Sequence, residues 1–280
     1  MILFNPKKHN IEYKDSKDRE LMQKLIDFME NKGLKSIKKD WHDKTWNYEF
    51  VEFMKENQVL ATLMTPSGYG AEGSRWDTFR NTTFAEITGF YGITYWYTFQ
   101  VSMLGLAPIW LGSNEELKQK TAKLLQDGEV FAFGLSEKEH GADIYSSDMM
   151  LHPQENGTYK AKGDKYYIGN GNKASLVSVF GKLDDTNEYV FFVVDSQHKN
   201  YQLIQNVVSS QNYVAEFTLN NYPINEDDIL ATGTDAWDMA LNTVNVGKFN
   251  LGWASIGICS HAFYEAIDHA ANRRLFDHYV

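Results

Sequence analysis

Two acidic residues and a histidine stand together in the run Glu137-Lys138-Glu139-His140, a composition that suggests acid–base catalysis. Other candidate chemistry is weaker. His261 and His269 are eight residues apart, so they do not share the i, i+4 face of a helical metal site, and no other His/Cys/Asp/Glu group has metal-ligand spacing. Cys259, the only cysteine, lies in an apolar run that is typical of a small packed residue and not of a nucleophile. The sequence therefore predicts no metal site and no cysteine chemistry.

The same acidic run belongs to a longer and more specific pattern. Residues 131–143 read Phe-Ala-Phe-Gly-Leu-Ser-Glu-Lys-Glu-His-Gly-Ala-Asp. This segment is similar to the acyl-CoA dehydrogenase signature, a strand that ends in an aliphatic-Thr-Glu-x-x-x-Gly-Ser-Asp loop, with Ala142 in place of the usual Ser. The matching residues are Leu135, Ser136, Glu137, Gly141 and Asp143. In that family the Glu is structural, so the resemblance argues against acid–base catalysis by Glu137.

Three further segments resemble the same family in the same order along the chain. Residues 163–170 are similar to its Gly-x-Lys-x-Trp-Ile-Thr-Asn strand, with Tyr167 for the Trp and Gly169 for the Thr. Residues 66–70 match its Pro-x-x-Tyr/Phe-Gly turn, and residues 271–276 look like the Arg-x-x-Phe segment of its long third-domain helix. The resemblance runs from about Trp46 to the C-terminus. Residues 241–251 are similar to long-chain members, with Lys248 where these carry an Arg.

The resemblance implies that the chain binds FAD. Backbone N–H groups around Leu135 and Ser136 can bond the edge of the flavin ring, Gly141 allows close approach, and Tyr167 can supply a flat wall. The residues expected to bind the cofactor are Phe133, Leu135, Ser136, Gly141, Ala142, Tyr167, Ile168, Gly169, Arg273 and Phe276. Ala142 and Lys248 are expected to bind the substrate.

Each of these expectations has a plainer alternative. Residues 135–142 also fit an ordinary strand-to-loop exit, and Tyr167 alone fits a half-buried strand aromatic. Lys248 can neutralise a phosphate of CoA or simply extend along the surface. Arg273 reaches the flavin diphosphate of a neighbouring subunit in the family, whereas a solvated arginine at a helix end needs no such role.

The reaction implied by the resemblance is α,β-dehydrogenation of an acyl-CoA, with an electron-transfer flavoprotein as the electron acceptor. A carboxylate removes the α-proton while a hydride leaves the β-carbon for the flavin. The family places this Glu in its third domain, beyond the length of this chain, or just before the Arg that Lys248 replaces, where this chain has Gly247. We therefore expect a truncated polypeptide with no catalytic residue of its own. Two alternatives stay open: an acyl-CoA oxidase, or a non-catalytic fragment that binds flavin or acyl-CoA.

Composition narrows the class of protein. The 280 residues include 43% hydrophobic and 23% charged residues, as in a folded protein. The formal net charge of −10 argues against nucleic-acid binding, which needs a basic surface. A single cysteine excludes an internal disulfide and favours a reducing compartment. With no secretory core or transit peptide at its start and no apolar run long enough to span a bilayer, the chain is expected to be cytoplasmic, and it is expected to form a homo-oligomer.

The sequence predicts an α+β fold that positions the candidate site residues. Residues 1–129 predict a helical N-terminal domain, with helices from Ser16 to Gly33, from Trp46 to Gln58, across 76–110 in two pieces, and from a Ser113/Glu116 capping box to Gly128. Most of the aromatic residues between 79 and 99 are expected in the core, although they could line an acyl tunnel. Seven β-rich runs in 130–235 predict an antiparallel barrel or sandwich that binds the flavin, with a two-residue hairpin at Asn156-Gly157. Residues 236–280 predict the beginning of a C-terminal helical domain, with helices over 237–246 and 249–274.

Overall fold

The computed structural model describes residues 3–9 and 11–279. Six helices come first, and an eight-stranded sheet and one very long helix follow. The helices of the first half are α1 Ser16–His42, α2 Tyr48–Glu56, α3 Val59–Met64, α4 Thr78–Tyr91, α5 Ile93–Leu111 and α6 Glu115–Gln126. This agrees with the predicted helical N-terminal region, although the short helix α3 was not predicted.

Helix α1 contains a kink at the residue where the sequence predicts its end. Gly33 has φ 73° and ψ 148°, values that are not helical, but the chain resumes its helix and continues to His42. The predicted cap is wrong by one residue, because the Asp15 carboxylate accepts the Lys17 N–H at 2.9 Å and Ser16 is the first helical residue. Likewise Asn114, and not Ser113, caps α6 by accepting the Leu117 N–H. Both caps have the oxygen acceptor that a helix N-terminus needs.

The sheet is open, so the closed barrel, one of the two predicted alternatives, is not observed. Its strands are β1 Phe131–Gly134, β2 Met150–Pro153, β3 Tyr159–Gly169, β4 Leu176–Leu183, β5 Tyr189–Asp195, β6 Tyr201–Asn206, β7 Val214–Ile224 and β8 Ile229–Thr232. They follow the order β6-β7-β3-β2-β4-β5-β8, with β1 paired beside β4. Strands β1 and β2 both run parallel to β4, so the sheet is mixed and not purely antiparallel.

Two predicted β-rich runs, 159–161 and 166–168, are parts of the single strand β3, and strands β6 and β8 were not predicted. The hairpin between β2 and β3 is confirmed, but its loop has five residues, 154–158, and not two. Gly157 takes the left-handed conformation there, with φ 80°. Strand β3 has a bulge between Lys165 and Ile168, where its register with β7 shifts.

The chain from Gly233 to Asn272 forms one helix, α7, and not the two shorter helices predicted. It lies against α4 at very short range, because the two helices meet at small residues. A Cβ on Gly257 would lie 2.1 Å from the Glu86 carbonyl oxygen, and one on Gly89 would lie 2.3 Å from the Ala254 carbonyl oxygen. After Asn272 the chain leaves the helix and forms a hairpin of β9 Arg274–Leu275 and β10 His278–Tyr279. No described helix combines the length and apolar character that crossing a membrane would require.

Helix α5 is the element that joins the two halves of the molecule. Phe99 and Met103 on this helix share a core with Phe131 and Phe180 of the sheet. A hydroxyl from the sheet also bonds the helix backbone, since the Ser178 Oγ donates to the Gly105 carbonyl oxygen at 2.7 Å. Helix α5 therefore has a fixed position over the end of β1, the strand that carries the signature loop.

Candidate active site

A cleft of about 370 Å³ opens where four elements meet, and we call it the central cleft. Its volume is within the usual range for small-molecule sites. Its wall is mainly apolar and aromatic. It is lined by Trp96, Tyr97, Gln100, Val101 and Leu104 of α5, Phe133 of β1, Leu135 and Ser136 of the following loop, Tyr167 and Gly169 of β3, and Val244, Gly247, Lys248 and Leu251 of α7.

The bulge in β3 directs an aromatic ring toward this cleft. Tyr167 has φ 67°, a left-handed conformation that is uncommon for a bulky residue and costs on the order of 1–3 kcal/mol. Its side chain is 56% exposed, so packing in the core does not compensate for that cost. Bulges often redirect side chains beside active sites. The strained, exposed ring is therefore the strongest local indication of a binding surface.

The loop after β1 is fixed from behind by a buried ion pair. The Lys165 ammonium donates to the Glu137 carboxylate at 2.6 Å and to the Leu135 carbonyl oxygen at 3.0 Å, and the Tyr166 N–H donates to the Ser136 carbonyl oxygen at 3.0 Å. The carbonyl groups of Leu135 and Ser136 are thus used inside the protein. The Ser136 N–H has no acceptor within the described parts of the chain and remains available to a ligand.

Glu137 is held in a structural network. Its carboxylate also accepts the Ser147 hydroxyl at 2.5 Å and the Asp148 N–H at 2.7 Å. Burial by itself would raise the pKa of this carboxyl, but Lys165, Ser147 and the Asp148 amide outweigh burial and hold the pKa below its usual value. Burial lowers the pKa of Lys165 to about 8, although Glu137 opposes that effect. Both groups are therefore charged at neutral pH, and Glu137 is occupied as an acceptor.

His140 lies between two carboxylates near this network. Its ring nitrogens are 3.0 Å from Asp143 and 3.1 Å from Asp148, and these hydrogen bonds raise the pKa of His140. One ligand atom each from Glu137, His140 and Asp148 lie within 4.8 Å of one another, a spatial grouping that the sequence spacing did not indicate. The hydrogen bonds of Glu137 and His140 account for this arrangement without a metal ion.

Helix α7 supplies the only cation that lines the cleft within the described residues. Lys248 is exposed and forms no ion pair with another described residue. Just before it, Gly247 packs on α5, where a Cβ would lie 2.8 Å from Leu104 Cδ2 and 3.1 Å from Gln100 Nε2. One turn farther on, the Asn250 amide donates to Gln100 Oε1 at 2.5 Å and joins the two helices below the cleft.

The structure brings six of the predicted site residues together at the central cleft: Phe133, Leu135, Ser136, Tyr167, Gly169 and Lys248. Ile168 is 1% exposed and packs in the sheet core, so only its backbone could reach a ligand. Gly141 and Ala142 lie in the exposed loop outside the cleft lining. Their roles stay predictions.

Arg273 and Phe276 lie far from the central cleft. Arg273 is the C-cap of α7, roughly 38 Å from Lys248 at about 1.5 Å per helical residue. Phe276 is 94% exposed at the turn of the terminal hairpin, with φ 51°. Neither contributes to the cleft of its own chain, and a role at a neighbouring subunit stays a prediction.

The sequence left open whether aromatic residues of α5 line a ligand site, and it did not indicate which ones. Of the aromatic residues between 79 and 99, Phe84 and Phe99 are in the core as expected, whereas Trp96 and Tyr97 line the cleft. The available signal was the excess of aromatics on this helix, but the sequence did not show which of them face the strands.

The chain resembles known proteins in sequence and in fold. No protein-family model matches it. It is 27% identical over 281 residues to a 3-(aryl)acrylate reductase of Clostridium sporogenes, covering 94% of this chain and 71% of that protein. It is also 27% identical over 180 residues to an acyl-CoA dehydrogenase of Bacillus subtilis, covering 62% of this chain and 47% of that protein. The chain thus spans about half the length of the second relative.

Solved structures show the same fold. Butyryl-CoA dehydrogenase of Megasphaera elsdenii superposes with a TM-score of 0.84 at 19% identity, covering 96% of this chain and 73% of that one. An acyl-CoA dehydrogenase of Bacillus anthracis complexed with FAD gives a TM-score of 0.82 at 22% identity, covering 99% and 48%. Relatives and structures agree over the helical N-terminal region, the sheet and the start of the C-terminal helices, and they consistently indicate the acyl-CoA dehydrogenase family.

Proposed function

We propose that the chain binds FAD in the central cleft and belongs to an enzyme that introduces an α,β double bond into an acyl-CoA. The observation that carries this proposal is the meeting of a strained, exposed Tyr167 ring with the free Ser136 N–H and the unpaired Lys248 ammonium. A planar ring with acceptors along its edge fits such a surface. The likeness to the acyl-CoA dehydrogenase family and the similar structure complexed with FAD support the choice of this cofactor.

Bound FAD would supply hydride transfer, and the residues of the chain would position the reactants. Tyr167 forms one wall for the ring, and the Ser136 N–H donates to its edge. Leu135 and Phe133 keep water from that side. Lys248 at the mouth of the cleft attracts an anionic group, such as a phosphate of CoA.

We propose that the catalytic base comes from outside these 280 residues. Removal of a proton next to a thioester carbonyl requires a carboxylate within hydrogen-bond reach. Within the described residues, no lining residue of the cleft carries one, and the position before Lys248 is Gly247. On this proposal the chain alone turns over acyl-CoA very slowly, because loss of a base costs about 10²- to 10⁴-fold in rate.

The remaining details are proposals from the resemblance. We propose a cytoplasmic homo-oligomer with an electron-transfer flavoprotein as acceptor and a place in fatty-acid β-oxidation. Oxygen is the alternative acceptor. We also propose that residues 1–129, 130–235 and 236–280 form the N-terminal domain, the flavin-binding domain and the beginning of the C-terminal domain.

A second candidate function is reduction of an α,β double bond next to an aromatic ring. It is favoured by the four aromatic side chains in the cleft lining and by the reductase relative, which matches 94% of this chain. Two mixing experiments without oxygen distinguish dehydrogenation from reduction. In the first, the oxidised flavoprotein is mixed with acyl-CoAs, and in the second, the reduced flavoprotein is mixed with 3-aryl acrylates. Bleaching in the first case supports dehydrogenation, and return of the flavin colour in the second supports reduction. Rapid bleaching would also show that the chain contains its own base.

The test of cofactor binding is titration of the 280-residue chain with FAD. We expect a yellow complex, and we expect Tyr167→Ala to weaken it by about 1–3 kcal/mol because the ring loses one wall. Tyr145→Ala is the matched control, since Tyr145 is 58% exposed and lies outside the cleft lining. Melting temperatures of both variants should stay near that of the parent. A parent chain that takes up no FAD would contradict the proposal.

A further inference from the structure

Gly169 and Tyr97 form a complementary pair across the central cleft. A Cβ on Gly169 would lie 2.6 Å from the Tyr97 hydroxyl oxygen and 3.0 Å from its Cζ, so a side chain at position 169 would require the Tyr97 ring to move. The phenol of α5 thus occupies the space that a side chain on β3 would fill. This places a hydroxyl group beside the strand, two residues after Tyr167.

Tyr97 is half-buried, and its hydroxyl has no hydrogen-bond partner within residues 3–9 and 11–279. Two buried tyrosines do have partners, since Tyr91 donates to Glu30 and Tyr201 to the Gly171 carbonyl oxygen, each at 2.7 Å, whereas the buried Tyr95 hydroxyl has none within the described residues. Burial raises the pKa of Tyr97 to about 12, and Tyr167 adds to this. The group is therefore a neutral donor at physiological pH. Buried tyrosine hydroxyls usually find an acceptor, because leaving one unpaired is costly.

We propose that the Tyr97 hydroxyl donates a hydrogen bond to the ring of the flavin bound in the central cleft, and that Gly169 is required because it leaves room for this hydroxyl. The proposal rests on the proposed function. Side chains at position 169 and position 97 compete for the same space, so the hydroxyl group comes from α5 instead of β3. Tyr97 is thus a cofactor-binding residue that the sequence motifs did not indicate.

The experiment is a double-mutant cycle on the full chain with FAD affinity as the measurement. Tyr97→Phe removes only the hydroxyl, and we expect FAD to bind about threefold to tenfold more weakly, with shifted flavin absorption bands. Gly169→Ala should weaken FAD in the parent by displacing the hydroxyl, but should cost less in the Tyr97→Phe background. The added Cβ would also lie 2.6 Å from Val101 Cγ1. This contact is present in both backgrounds, so its effect on FAD affinity cancels in the cycle.

Tyr48→Phe serves as the control, because the Tyr48 hydroxyl lies 3.3 Å from that of Tyr213, outside the cleft lining. This variant should keep the parent affinity and spectrum. A parent that binds FAD together with a Tyr97→Phe variant of equal affinity and unchanged spectrum would overturn the inference alone. Additive effects of the two substitutions would also overturn it. A parent that does not bind FAD would overturn the proposed function, and this inference with it.

Discussion

Two buried ion pairs of similar geometry serve different parts of the molecule. Lys165 and Glu137 meet at 2.6 Å with side chains 0% and 6% exposed, and Arg80 and Asp18 meet at 2.9 Å with side chains 2% and 5% exposed. The first pair lies behind the central cleft, and the second joins helices of the N-terminal region. Burial is thus nearly the same in the two pairs, and only their neighbours distinguish them.

The pair in the sheet connects two cleft-lining segments. Lys165 lies in β3 just before the bulge that carries Tyr167, and its ammonium also bonds the Leu135 carbonyl oxygen. The loop with Ser136 and the ring of Tyr167 are therefore fixed relative to each other by one cation. A change in this pair therefore affects the cleft directly, through the hydrogen bond from Lys165 to the Leu135 carbonyl oxygen.

The pair among the helices has no such connection. Asp18 of α1 also meets Arg75 at 2.7 Å, and Arg80 of α4 donates to the Gly73 carbonyl oxygen at 3.2 Å. None of these residues lines the central cleft. The pair stabilises the contact of α1 with α4 and the preceding loop. The role of a buried charge pair therefore follows from the backbone segments that it connects, and not from its degree of burial.

The largest effect is expected for Lys165→Met, which leaves the Glu137 carboxylate buried without its cation. We expect a loss of about 3–5 kcal/mol in the free energy of unfolding, measured by urea denaturation. FAD affinity should also fall, by tenfold or more, under conditions where the variant is folded. The double variant Lys165→Met/Glu137→Gln removes both charges and should recover much of the stability. An unchanged FAD affinity in folded Lys165→Met would show that the pair does not position the loop.

A comparable loss of stability without loss of binding is expected for Asp18→Asn. Arg80 is then buried without a full negative partner, and we expect the free energy of unfolding to fall by about 3 kcal/mol. FAD affinity of the folded variant should equal that of the parent. If Asp18→Asn weakened FAD binding as strongly as Lys165→Met, the two ion pairs would not differ in role.

The smallest effect concerns pH. In the parent, the lowered pKa of Glu137 stabilises the folded protein at pH values above the usual pKa of a carboxyl group. This stabilisation is lost as the pH falls through the pKa that Glu137 has in the folded protein. In Lys165→Met, the cation that lowers the Glu137 pKa is gone, so burial raises this pKa. As the pH falls, Glu137 therefore becomes protonated, and the buried uncompensated charge no longer destabilises the variant. The stability difference between parent and variant should therefore narrow from pH 7 to pH 5, by about 1 kcal/mol. A constant difference would mean that Glu137 is not left charged in the variant.

The sequence predicted site residues well where several of them lie in one short segment of the chain. The signature segment and the strand with Tyr167 identified five of the six cleft residues, because each segment presents its backbone and side chains directly to the cleft. The open sheet was not predictable, since local β patterns do not show whether the edge strands β6 and β8 meet. The continuity of α7 was missed because the predicted break falls at Gly247, whereas in the structure this glycine continues the helix and packs against Leu104 of α5. Tyr97 was missed because it lies on a different element from Gly169.

The two halves of α7 differ in how firmly they are held. Its last buried residue is Ser260, and the twelve positions after it, 261–272, are exposed or half-buried. Amide hydrogen exchange should therefore divide this helix near Ser260, slow on the side that includes Gly247 and Lys248 and faster beyond it. The C-terminal turns can open without disturbing the cleft, so the helix behaves as two units of unequal local stability within one continuous run of backbone hydrogen bonds.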